Sequence, residues 1–305
     1  MSTTTARLAP LRSRPGYAKR ELRLAYFLIL PAALAIFLVM IVPLGFAIYA
    51  SFFHYSLGQP MVFVFLDNYV AFFKDSTALR ALLNTIIFTV LSLSLCISIG
   101  VGMSVLLKSL TPRVGNVLRA IFAMPILISP IIASLIWRYM YDPTYGLIYF
   151  VLNSIGLHGF GGLTASSTAL VCIVITDVWH ATPFIILVAS AGLTVIPEEL
   201  YEAARIDGAG AARTLFNVTI PLLTKTLVIL ILIRGTDAFR VFDLIYGLTG
   251  GGPANSTTSL SVFAYQQAYE NNQMGYGMAV AVLTLIALIL LFGPLMRNSA
   301  RGKDG

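Results

Sequence analysis

The stretch Pro197–Pro221, PEELYEAARIDGAGAARTLFNVTIP, lies between two long apolar runs and decides how the rest of the chain is read. Pro197 suits the first position of a helix, and Glu198, Glu199 and Glu202 favour the positive end of that helix's dipole. Leu200, Ala203, Ala204 and Ile206 leave a small, compact face. Gly208 and Gly210 interrupt the helix, a second short helix is expected over Ala211–Phe216, and Pro221 opens the next apolar run. The residues by themselves allow two readings. One is an amphipathic hairpin that caps a helical bundle at the membrane surface; the other is a pair of short helices built to dock on another molecule.

Working outward, six apolar segments stand out: 24–50, 82–107, 117–137, 168–193, 222–246 and 278–296. Each is near or above the ~20 residues that a helix needs to cross hydrocarbon. Pro31, Pro43, Pro125, Pro130 and Pro183 sit within or beside them, which membrane helices tolerate where neighbours satisfy the freed carbonyls. The first segment follows a basic stretch, but its apolar part is too long for a signal peptide and no small-residue cleavage site ends it. It reads as an uncleaved anchor. The expected fold is an all-α membrane protein, a six-helix transmembrane bundle over 24–296. A basic segment (1–23) precedes it and a short tail (297–305) follows.

Composition supports this. The chain is 58 % hydrophobic and 11 % charged, less than half the charge of a soluble domain. The net charge of +7 does not signal nucleic acid, because the basic residues are sorted by position. With the N-terminus inside, fifteen of the twenty fall in inner segments and only Lys74, Arg80 and Arg138 in outer ones; Arg234 and Arg240 lie within the fifth span. Both termini are therefore expected on the cytoplasmic side. Cys96 and Cys172 lie inside apolar runs and read as buried apolar residues, and no Cys/His cluster suggests a metal.

The fifth span carries the charges that are most costly to place. Arg234, Asp237, Arg240 and Asp243 recur every three residues with alternating sign, so an ion-pair ladder along one helix is expected. Counting from Leu222, Arg234 lies ~18 Å and Asp237 ~22 Å deep, near the bilayer midplane. Each costs at least ~2.5–3.5 kcal/mol there unless it is paired or faces a polar interior. Asp177, with Trp179 and His180 beside it, lies at a similar depth in the fourth span. Two readings stay open for these residues, structural neutralisation and the wall of a solute path. Carboxylates, guanidinium groups and an aromatic ring are the partners a sugar would use.

The pattern Glu202-Ala203-Ala204, three residues, Gly208, nine residues, then Val218-Thr-Ile-Pro221 resembles the EAA loop of binding-protein-dependent ABC importer permeases. Leu248-Thr-Gly-Gly-Gly-Pro253, preceded by Phe239-Arg-Val-Phe-Asp243 and followed by Thr258 and Gly275-Tyr-Gly277, resembles the carbohydrate subgroup of that family. The first span fits as well, with Leu30-Pro31, Val42-Pro43 and Ser51-Phe52. The resemblance implies a type I ABC importer permease fold in a bacterial inner membrane. It implies a second homologous permease subunit, a cytoplasmic ABC ATPase dimer and an extracytoplasmic solute-binding protein as partners. Within the loop it implies that Glu202, Ala203, Ala204, Gly208, Ala211, Arg213 and Phe216 meet the ATPase. Asp177, Trp179, Arg234, Asp237 and Arg240 become the candidate substrate path, and Gly251, Gly252 and Pro253 a receptor-side loop. No G-x-x-x-x-G-K-[ST] motif occurs, so no cofactor is expected on this chain, and ATP with Mg²⁺ belongs to the partner. The competing expectation is a secondary transporter or channel that uses the Arg234/Asp237 charges without an ATPase.

Overall fold

A computed structural model describes the backbone of residues 15–301 and the side chains of residues 26–297. The basic residues of 1–14 and Lys303 lie outside the described residues. The chain divides into two compact units, Met1–Tyr49 and Ala50–Gly305. In the first, α1 (Pro15–Ile36) runs through a π-helical turn at Phe37–Ile41 into α2 (Val42–Ala50), giving one apolar helix over Tyr26–Ala50. Side chains from Tyr26 to Phe46 are all exposed. Apolar on every face, this helix is stable only in an apolar solvent, as expected of the first span.

The second unit begins with a two-stranded antiparallel hairpin, β1 (Phe53–His54) and β2 (Val62–Phe63), then α3 (Asp67–Lys74). The long α4 (Ser76–Lys108) starts where Asp75 accepts the Thr77 and Ala78 amide hydrogens, which satisfies two of the donors a helix start leaves open. It packs along α8 (Ala169–Thr194), and α11 (Ile220–Phe239) lies against both. Phe88, Cys172, Ile173, Ile185, Ala189 and Leu230 are fully buried between these helices. Gly100 permits the close approach, since a Cβ there would run into the Ile185 side chain. The last helix, α14 (Met274–Arg301), packs on α11 and on α13 (Leu260–Tyr265). Both cysteines are buried and free, as the apolar runs imply.

Among the described residues five helices are long and apolar enough to cross a membrane, or six when a bent pair is counted as one span. The expected third span over 117–137 is not one helix. α5 (Pro112–Ala123) continues as a short 3₁₀ turn to Leu127, and α6 (Pro130–Met140) leaves at 95° to it. Ile128 and Ser129 are extended, as a following proline favours, and Pro130 starts the new helix. After α6, Asp142 accepts the amide hydrogens of Thr144 (2.8 Å) and Tyr145 (3.3 Å). The Thr144 amide hydrogen chiefly holds this exposed carboxyl below the ordinary range. The chain then passes through α7 (Leu147–Ser154) to α8.

The fifth span also departs from expectation at both ends. α9 (Glu198–Ile206) begins one residue later than the sequence suggests, with Pro197 as the capping residue. α10 (Ala211–Thr214) is not a separate short helix. It runs through a π turn at Leu215–Thr219 into α11, making one 29-residue helix over Ala211–Phe239. At the far end the helix stops at Phe239, and the chain restarts as α12 (Asp243–Thr249).

Replacing Gly100 with leucine should lower the melting temperature of the micelle-solubilised protein by several degrees, matching the ~1–3 kcal/mol cost of overpacking. Gly102→Leu, where a side chain meets open space, should leave it near wild type. Equal effects in a thermal-shift assay would contradict the α4–α8 contact.

Candidate functional site

Three buried groups from three helices meet inside the bundle. Arg234 of α11 pairs with Asp177 of α8 and donates to Ser92 Oγ of α4 at 2.9 Å, and Ser92 donates to the same carboxylate. Asp177 and Arg234 are 5 % and 6 % exposed. Burying one such charge alone would cost several kcal/mol, so the pair and its serine are mutually required. The Arg234 Nε is buried with no partner among the described residues.

This arrangement replaces the expected ladder. Arg234 turns to the neighbouring helix instead of to Asp237. Asp237 then pairs with Arg240 at 2.8 Å, and both remain about half exposed or more. Asp243 does not extend the row, because the helix has ended and Asp243 opens α12. Coulomb attraction is far stronger across a dry interhelical contact than along a wet helix face.

Beside this knot lies a cavity of about 520 Å³, within the range of small-molecule sites. Asp177, Arg234, Asp237, Arg240 and Asp243 all line it, together with His180, Phe184 and Phe242. Trp179 does not; its ring packs edge-on against Trp137 of α6 at 5.4 Å. His180 had been grouped with Asp177 only by position, and its contact identifies its task. Its Nε2 lies 2.9 Å from the Ile128 carbonyl, left free by the break between α5 and α6. A carbonyl only accepts, so Nε2 carries the proton. Ser92 was not singled out by sequence, since a serine inside an apolar run has no distinguishing pattern.

At the other end of the same bundle, α9, Gly208 and α10 form an elbow. Gly208 has φ +72°, a conformation that favours glycine, and a Cβ there would meet open space. Ala204 faces inward, whereas Glu202, Ala203, Ala211 and Arg213 are exposed. Ile206 and Phe216 are 86 % and 64 % exposed, unusual for large apolar side chains on a polar surface. The elbow is held to α4 by Lys108, whose Nζ lies 3.4 Å from Glu198 and 3.9 Å above the Tyr201 ring. Nothing about Lys108 in the sequence distinguished it from other inner basic residues.

The Gly250–Pro253 segment is folded inward. Gly250 ends α12 with φ +60°. Thr258 Oγ1 donates to the Gly251 carbonyl at 2.9 Å and Thr257 Oγ1 to that of Gly252 at 2.7 Å. Asn84 of α4 donates to the carbonyls of Asn255 and Thr258, both at 3.1 Å. Gly251 is buried and Gly252 and Pro253 half-buried, so this stretch is a packed element rather than a free loop.

The described residues thus combine membrane-length apolar helices, a charged cavity and an exposed apolar elbow. Residues 69–304 match the family of binding-protein-dependent transport system inner membrane components, and the chain belongs to it. It is 36 % identical to the trehalose/maltose transport system permease MalF of Thermococcus litoralis, over 90 % of this chain and 92 % of that one. It is 34 % identical to the sulfoquinovosyl glycerol transport system permease SmoG of Agrobacterium fabrum, over 92 % and 91 %. Among solved structures, a bacterial ABC transporter for alginate import has the same fold, with a TM-score of 0.81 over 95 % of this chain and 99 % of that one, at 21 % identity. The chain is thus a multi-pass inner-membrane subunit of a binding-protein-dependent transport system. The expectation of a carrier or channel without an ATPase finds no support in these relatives.

Asp177→Leu and Arg234→Leu should each destabilise the folded bundle by about 3–5 kcal/mol, because each leaves a buried charge or donor uncompensated. The double substitution should cost clearly less than their sum, and Asp237→Asn less than ~1 kcal/mol. Thermal unfolding in micelles checks this, and additive losses would contradict the buried pair.

Proposed function

We propose that this chain forms one half of the membrane path of an ATP-driven importer for a carbohydrate. The cavity beside Arg234 is the observation that carries this reading. Its wall combines two carboxylates, a guanidinium group and a phenyl ring that are not fully buried, the partners that hydroxyls and the apolar face of a sugar require. The trehalose/maltose and sulfoquinovosyl glycerol permeases, both above 30 % identity, support the same substrate class.

Within this reading the path is carried by Asp237, Arg240, Asp243 and Phe242. Asp177 and Arg234 hold the wall in place, and Trp179 acts by packing. The domain limits follow the sequence: a basic segment over 1–23, the permease over 24–296 and a tail over 297–305, with both termini cytoplasmic. The sorting of basic residues supports this orientation. The elbow then faces the cytoplasm and offers Glu202, Ala203, Ala204, Gly208, Ala211, Arg213 and Phe216 to the ATPase dimer. Exposed Ile206 and Phe216 give that contact an apolar centre. Because α10 is continuous with α11, movement of the elbow is delivered along one helix to the cavity. A second, homologous permease completes the path, and the Gly251–Pro253 side approaches the solute-binding protein. ATP and Mg²⁺ act only in the ATPase.

The test is ATP-dependent uptake of trehalose and maltose by the complete importer in proteoliposomes. Gly208→Asp, which strains the φ +72° turn and adds a charge to the docking face, and Glu202→Lys, which reverses one, should each reduce uptake about tenfold or more, a loss of at least ~1.4 kcal/mol. Both proteins should still insert at wild-type levels. Asp237→Asn should reduce uptake while leaving complex assembly intact. Wild-type uptake in all three would sink the reading, as would uptake that needs no ATPase.

A further inference from the structure

Four aromatic rings connect the cavity to the surface at the Gly250 end of the bundle. Phe242, which lines the cavity, is stacked on Tyr246 with centroids 5.2 Å apart and planes at 13°. Tyr265 touches both rings at 5.2 Å, and Tyr269 follows Tyr265 at 5.2 Å. Two ring-to-ring steps therefore lead from the cavity wall to Tyr269, which is 66 % exposed. The other three rings are half-buried, so the array is neither core nor isolated surface residues.

The rings come from two separate elements. Phe242 and Tyr246 belong to the break after the fifth span and the helix that follows it. Tyr265 ends α13, and Tyr269 lies in the π turn at Gln266–Glu270. A π turn is a locally less stable backbone and recurs at functional positions. Here it carries the outermost ring. Acidic groups fringe the array, with exposed Asp243 at its inner end and Glu270 close to the Tyr246 phenol. Tyrosines that merely anchor a protein at the lipid interface spread around its perimeter. These instead stack in a row that ends at a cavity.

We propose that Phe242, Tyr246, Tyr265 and Tyr269 form a ring-face platform on which a pyranose ring docks on its way into the cavity. A pyranose presents an apolar C–H face that an aromatic face covers, and equatorial hydroxyls that carboxylates at the fringe accept from. Stacking is tolerant of sugar identity, because it reads the ring face rather than a particular hydroxyl. The platform therefore receives cargo that the receptor has already selected. This inference rests on the carbohydrate reading above.

The experiment uses the complete importer and whichever of trehalose and maltose the wild type takes up. Tyr269→Ala should weaken sugar binding to the receptor-free complex about three- to tenfold, the size of one ring-face contact. Tyr269→Trp should retain affinity within about twofold, and its indole emission should shift on sugar addition. The half-saturating receptor concentration and co-purification of the subunits should match wild type for both variants. Unchanged sugar affinity in Tyr269→Ala would overturn the proposal. So would failure of tryptophan to rescue it, a weaker receptor interaction in its place, or loss of assembly. No uptake of either sugar by the wild-type importer would instead sink the carbohydrate reading, and this inference with it.

Discussion

A charge inside a membrane bundle has to be neutralised where it stands, and Arg234 is neutralised by Asp177 with Ser92 between them. The rest of the bundle is arranged around that requirement. It ties α4, α8 and α11 at one level, and the most extensive helix contact, that of α4 with α8, flanks it. Because Arg234 is committed to another helix, Asp237 is left to pair with Arg240 in the open part of the cavity. The buried pair builds the wall, and the exposed pair is free to exchange partners. Exposed pairs contribute only ~0–1 kcal/mol.

Around this fixed point, interruptions of the helices do the shaping. Each break releases backbone groups that hydrocarbon does not tolerate unpaired. The carbonyl freed at Ile128 is taken by His180, and those of Gly251 and Gly252 by Thr258 and Thr257. Thr85 of α4 accepts the Leu260 amide hydrogen at 2.9 Å. At these two breaks the freed groups are thus answered by polar side chains from the same segment or from α4 or α8. The 95° turn in the third span and the stop at Phe239 both border the cavity, which Ile126, Pro130, Arg240 and Val241 help to line.

Much of this was legible beforehand. Long apolar runs, sorted basic residues and the 197–221 stretch specified the class of fold, and five spans appear as single helices. The elbow turned at Gly208 as its neighbours required. What misled was treating each span as an isolated helix. A three-residue spacing of Arg234, Asp237, Arg240 and Asp243 implies a ladder only if no other helix offers a better partner. Asp177 is such a partner, and the spacing cannot report it. Asp177 suggests a cavity position for nearby Trp179, yet residues two apart on a helix point to nearly opposite sides, and its ring meets Trp137 instead.

The sequence by itself determined that this protein lives in a membrane, roughly where its apolar spans run and where the turn at Gly208 lies. Those properties depend on local composition and on residues close together in the chain. Tertiary structure alone decided which charges are buried together, which carbonyls are rescued and which rings stack. Ser92, Asp177 and Arg234 are separated by 85 and 57 residues along the chain. Their meeting is set by how whole helices pack, and in a medium that cannot screen charge that packing selects the partners.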